Sequence, residues 1–226
     1  MISKLQGRDK FCKAIQYGSR FLKWHFTNTG NKDMSERFNG LFGGMRDARK
    51  LFRLFKTINE CHKIMELLKK KDDDDLNKTL AILQRAFFGM FWFFDNLVIL
   101  KQLKFLKGDH KPNSKTGSTF WFLALICAVV QNVRNLLKNL QKQSDTIQII
   151  LNTQTQEQND KAQLQLIQLK KQTSEIYLNI IKSVADMITA GQAAQLWPNL
   201  LKKNANDGLC GIGGLISSVI TSYQLF

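Results

Sequence analysis

Apolar residues recur at intervals of three and four along nearly the whole of this chain. Nowhere do Val, Ile and Thr alternate with polar residues over a run long enough for a strand. That period is the helical one, and good helix formers fill every periodic segment. The spacing predicts an all-α fold.

What those helices carry bounds the function. The 33 Lys+Arg against 18 Asp+Glu leave a formal net charge of +15, which calls for an anionic partner: nucleic acid or an acidic lipid surface. The 16 Phe favour the second, because an apolar load of that kind suits a membrane protein better than a basic nucleic-acid arm. No nucleic-acid motif accompanies the cations, so acidic phospholipid is the expected partner and nucleic acid is not. Four Cys, at 12, 61, 127 and 210, form no CxxC pair and suggest neither zinc nor a disulfide framework, so a reducing compartment is expected. Cys61 reads as core and His62 beside it as structural, with His25 and His110 far away in sequence. No Ser/His/Asp, Cys/His or metal-spaced constellation appears, so no catalytic residue, no metal and no cofactor are expected.

The first 30 residues lack the continuous apolar core of a secretory signal, and the final "SYQLF" is not the peroxisomal matrix tripeptide. Any organelle address is expected to be internal or membrane-borne. Along the chain, residues 1–71 hold 17 Lys+Arg and 6 Asp+Glu, and "DDDD" at 72–75 then reverses the sign; a solvated turn is the simpler reading of it than an acidic metal site. Residues 76–133 are aromatic and apolar, broken by turn chemistry at 107–118. Residues 134–175 are Gln-rich, read as a long solvated helix, a helix pair or a linker, and 176–226 return to helical apolar spacing. The whole is read as one helical membrane domain.

Winding residues 9–26 at about 100° per residue places Phe11, Ala14, Ile15, Gly18, Phe21, Leu22 and Phe26 on one face. Asp9, Lys13, Gln16, Arg20 and Lys23 fall opposite, with Lys10, Tyr17 and Trp24 at the boundaries. Phe11, Ile15, Phe21, Leu22 and Phe26 are therefore candidates to enter a leaflet, and Lys10, Lys13, Arg20 and Lys23 to contact anionic headgroups. A second helix over residues 46–70 repeats the arrangement: Leu51, Leu54, Ile58, Cys61, Met65 and Leu68 lie along one side, and Arg46, Arg49, Arg53, Lys56 and Lys63 on the other. Arg49, Arg53 and Lys56 join the headgroup candidates. A face of this kind equally suits the packed surface of a globular helix.

The tail from Gly208 to Phe226 is 19 residues without a formal charge, about the length that crosses a hydrocarbon core, and it is the preferred spanning or embedded segment. Its Gly208, Gly211, Gly213, Gly214, Ser217 and Ser218 are candidates for close helix packing. Segments 86–100 and 119–133 are weaker, since Asp95–Asn96 interrupt one and Gln131–Asn132 end the other.

In this order the segments resemble a known family, the peroxisomal biogenesis factor 11 (peroxin-11) family. "GRDKFCKAIQY" resembles its opening signature through Gly7, Arg8, Asp9, Lys10, Lys13, Gln16 and Tyr17; "ARKLFRLFK" resembles its basic segment through Arg49, Lys50, Arg53 and Lys56. "FFDNLVIL" is similar to the aromatic stretch ending in Asp95 and Asn96, and Asp186 with the Gly-rich tail to its final hydrophobic segment. Ala48 and Phe55 depart from the pattern, standing where Ser and a small residue are usual. The resemblance implies a bundle of amphipathic and membrane-embedded helices in the peroxisomal membrane. An amphipathic helix would enter one leaflet, promote elongation and fission, and bring self-association or fission machinery as partners. A second expectation stays open beside it: an accessory subunit of a large complex in the mitochondrial inner membrane, whose neighbouring subunits hold the polar helices.

Overall fold

The structure is a computed structural model that describes residues 2–69, 74–153 and 155–225, with side chains from residue 7 onward. Among the described residues the regular structure is entirely helical, as the periodicity requires: α1 (Ile2–Asn28), α2 (Lys32–Phe52), α3 (Lys56–Lys69), α4 (Asp75–Gln102), α5 (Lys111–Asn152), α6 (Gln156–Ala193), α7 (Leu196–Leu201) and α8 (Asp207–Tyr223).

Local chemistry sets the ends. Gly30, at φ +79°, lets the chain leave α1 with Asn31 N–H bonded back to the Phe26 carbonyl, and Asn31 then caps α2 by accepting from Met34 N–H. Asp74 caps α4 by accepting from Asn77 N–H and also pairs with Arg134 and Lys138 of α5. Of the acidic run, Asp72 and Asp73 lie outside the described residues, and Asp74 ties two helices together. The helix expected over 46–70 is two: a turn at Arg53–Phe55, with Phe55 at φ +60°, separates α2 from α3. That backbone favours a small residue, so Phe55 departs from the family pattern where departure costs about 1 kcal/mol or more.

The helices pack as a ring. α1 lies between α2 and α8, α8 between α1 and α6, α5 between α6 and α4, and α2 returns from α4 to α1, with α3 packed on α4. The α4–α5 seam is aromatic: Phe91 stacks on Trp121 at 5.5 Å and Phe94 on Phe120 at 5.8 Å. The Gln-rich stretch forms the far halves of α5 and α6, an antiparallel pair. There Gln143 donates to Asn139 (2.7 Å) and Thr173 (2.6 Å), and Asn139 donates to Gln172 (3.1 Å). At 42 residues α5 runs about 63 Å, some twice the thickness of a hydrocarbon core.

The ranking of spans changes. The described helices long and apolar enough to cross a membrane are α4 and α5, and only 17 % and 22 % of their apolar windows are buried inside the protein. A core helix of a soluble protein would be mostly buried; these two leave their apolar surface open. The preferred tail instead forms the 17-residue α8, with one face packed on α1 and α6 and the other open at Leu209, Ile212, Ile216 and Val219. Asp95 and Asn96, which weakened the α4 reading, lie on an otherwise apolar helix where a charged side chain is expected to turn into the bundle.

Candidate functional site

Burial inverts the usual order of a soluble protein. Among the described residues, sixteen polar or charged residues are buried against thirteen hydrophobic ones, six of them alanine, while Leu, Ile, Val, Met and Phe stand exposed along every long helix. In water such an exterior would associate; in a bilayer it is the side that meets hydrocarbon, and the ionisable groups gather inside.

α1 shows how. Its polar face points inward: Asp9, Lys13, Gln16, Tyr17 and Ser19 are all under 7 % exposed, whereas Phe11 is 67 % exposed and Ile15, Phe21, Leu22 and Phe26 are half-buried. The polar face drawn from periodicity turns inward, while Phe21 packs on Gly211 of α8 and Phe26 stacks on Phe38 of α2 at 5.6 Å. Lys13 Nζ donates to Asp186 Oδ1 (2.8 Å) and Oδ2 (3.0 Å) on α6 and to Ser217 Oγ (2.7 Å) on α8, so one ammonium joins three helices. Arg49 of α2 donates to Asp9 Oδ1 (3.1 Å) and Gln16 Oε1 (2.7 Å). Arg53 donates to the Arg49 carbonyl and faces Asp95 of α4 at 3.6 Å. Lys10 and Lys56 each lie 4.0 Å from Asp9 Oδ2, and Lys56 and Arg53 sit over the Trp92 ring at 4.9 and 5.4 Å.

Of the residues expected to touch headgroups, then, Lys13, Arg49 and Arg53 lie inside the ring. Their carboxylate partners are internal, and exposing the cations would strand Asp9, Asp95 and Asp186 unpaired. Arg20 and Lys23 share Asp207 at the start of α8, at 2.8 and 3.4 Å, and Lys23 stays half-exposed. Leaving water pushes the Lys13 ammonium down to about 8 even with Asp186 beside it. Lys56 falls to about 8 for the same cause, with Asp9 pulling it up and Lys10, Arg53 and Arg49 pushing it down.

All six small residues of the tail are buried. Gly208, Gly211 and Gly214 face α1, where a Cβ would lie 2.6 Å from the Trp24 ring, 2.7 Å from Phe21 N and 2.2 Å from the Tyr17 ring. Gly213 faces α6, 2.6 Å from the Ala185 carbonyl oxygen. The outward turn also corrects Cys61: with Ile58, Met65 and Leu68 it is exposed on the outer side of α3, and His62 is exposed too. Among the described residues, no group of three or more His, Cys, Asp or Glu gathers as metal ligands would.

The partners the sequence did not single out are Glu60 and Trp92; Asp95 and Asp186 stood out there through the family resemblance, without their cations. The signal was present: an isolated carboxylate in a basic or apolar helix belongs against a cation in the interior. The ring encloses a cavity of about 620 Å³ that every helix but α7 lines.

Comparison with known proteins agrees with this picture. The sequence model of the peroxisomal biogenesis factor 11 (PEX11) family matches residues 1–226. The chain is 27 % identical to the peroxisomal membrane protein 11 homolog of Dictyostelium discoideum, covering 100 % of this chain and 92 % of that one. It is 28 % identical to peroxisomal membrane protein 11D of Arabidopsis thaliana (99 % and 88 % covered) and 22 % to peroxisomal biogenesis factor 11 of Schizosaccharomyces pombe (99 % and 91 %). No solved structure matches. The match runs end to end, through the Asp9–Arg49 and Lys13–Asp186 pairs and the glycine-lined α8, and this protein of the peroxisomal membrane belongs to the peroxisomal biogenesis factor 11 family.

Proposed function

We propose that the chain elongates the peroxisomal membrane, ahead of fission, by setting the apolar outer faces of α1, α2 and α3 into one leaflet. The observation that carries this reading is the outward row of Phe11, Leu51, Ile58, Met65 and Leu68, held there by ion pairs on the opposite side of the same helices. A wedge that enters one leaflet and not the other expands it and favours curvature. Each apolar side chain that enters contributes about 1.5 to 3 kcal/mol, and each Lys or Arg near an anionic surface about 1 kcal/mol. Lys23 and the exposed Arg8 remain at the edge of α1 to meet acidic headgroups. The internal pairs give the wedge a rigid back, so insertion bends the bilayer instead of unfolding the helix.

The test uses the full-length protein reconstituted into liposomes containing acidic phospholipid, viewed by electron microscopy. The unaltered protein is expected to draw tubules, and a Phe11→Glu, Ile58→Glu double substitution to abolish them with helicity retained. Tubules of equal number and length from the double variant would contradict the reading.

A further inference from the structure

Nine Lys and Arg side chains and four carboxylates line the central cavity; Asp47 beside it pairs with two of the cations, Arg46 and Lys50, and positive charge remains in excess. A fold that needed these cations only as struts would match them one to one, because each uncompensated charge costs several kcal/mol to remove from water. The surplus is localised. The Lys10 and Lys56 ammonium groups make no hydrogen bond with the described residues; both stand 4.0 Å from Asp9 Oδ2, while Arg49 donates to the other oxygen, Oδ1. Arg53, 9 % exposed, spends its Nε on a backbone carbonyl and holds its remaining nitrogens no closer than 3.6 Å to Asp95. Lys10, Arg53 and Lys56 thus bring unused donors and positive charge to one side of the cavity, over the Trp92 ring. α4 and α5 add apolar side chains to the lining, Phe88, Phe91, Trp121, Leu125 and Ala128, beside polar ones such as Asp95 and Ser118.

We infer that this cavity binds a phosphate group carried on an amphiphile: the phosphate oxygens accept from Lys10, Arg53 and Lys56, and the apolar part lies along the apolar side chains of α4 and α5. Phosphate is the anion that matches the site, offering several acceptor oxygens to cations arriving from different helices and carrying enough charge to offset the surplus. The volume suits a headgroup with the first part of a chain. Phospholipid and soluble phosphate ester share this chemistry. The site does not rest on leaflet wedging, since it faces the interior while the wedge faces outward.

The experiment titrates the full-length protein, in a non-ionic detergent, with dioctanoyl phosphatidic acid, with inorganic phosphate and with dioctanoylglycerol, following tryptophan fluorescence. Saturable binding of phosphatidic acid at one site per chain is expected. Lys10→Gln with Lys56→Gln is expected to weaken it at least tenfold, and the exposed Lys170→Gln to leave it unchanged. In the unaltered protein, phosphatidic acid is expected to slow amine-reactive labelling of Lys10 and Lys56 at least fivefold, a readout that needs no variant to fold. Competition by inorganic phosphate identifies the phosphate itself as sufficient and admits soluble esters; no competition assigns the site to lipid. Equal affinity for dioctanoylglycerol, no saturable binding, or no protection of the two lysines overturns the inference. Loss of phosphate binding with tubulation intact leaves the shaping activity standing.

Discussion

At the scale of single residues the fold turns on Lys13. Its ammonium, in contact with Asp186 on α6 and Ser217 on α8, fixes the approach of three helices. Removing one partner of such a pair leaves the other buried and uncompensated, at a cost of about 3 to 5 kcal/mol. Lys13→Met is therefore expected to lower the midpoint of thermal unfolding in detergent sharply, and so is Asp186→Leu. The double substitution, which removes both charges and keeps the volume apolar, is expected to recover most of the loss. Equal additive losses would show that the two groups act separately. Asp9 with Arg49 follows the same logic on the other side of α1. Neither pair was visible in the sequence as a pair, because the partners lie 173 and 40 positions apart; the sequence showed only that Asp9, Lys13 and Arg49 stood on the polar sides of their helices.

At the scale of elements, packing decides what periodicity leaves open. The period of α1 told which residues share a face. It could not tell whether that face meets water, lipid or protein, because an amphipathic stripe is the same in all three. Lys13 and Arg49, expected at a headgroup surface, turn into the ring at this point: their carboxylate partners sit on other helices. The break at Arg53–Phe55 was hidden for a related reason, since no Gly or Pro marks it and Phe55 takes positive φ against its preference. The glycine tail was legible, because small residues at spacings of three and four have few uses other than close approach. Gly211→Ala is expected to cost about 1 to 3 kcal/mol, as its Cβ would meet the backbone of Phe21. Gly18→Ala, with nothing within 4 Å of its Cβ, is expected to stabilise by up to about 1 kcal/mol through helix propensity. Thermal midpoints in the same detergent compare the two; equal shifts would mean that α8 does not press on α1 as described.

At the scale of the whole molecule, the ring of helices is polar within and apolar without, and both properties serve a membrane protein. The class of fold and its lipid setting followed from the sequence through helical period, phenylalanine and charge. The identity of the candidate spanning helices did not, because Asp95 and Asn96 count against α4 in any reading of the sequence alone. Only the structure shows Asp95 facing Arg53 across the ring. The apolar faces of α1 and α3 are expected to contact lipid, and the ion pairs of the same helices are not. Spin labels at Phe11→Cys and at native Cys61, in otherwise cysteine-free full-length protein in acidic liposomes, test it through relaxation by oxygen and by a water-soluble nickel complex. Both labels are expected to be relaxed by oxygen, which concentrates in lipid, and shielded from nickel. Ready relaxation by nickel at both sites would place these faces in water and contradict it.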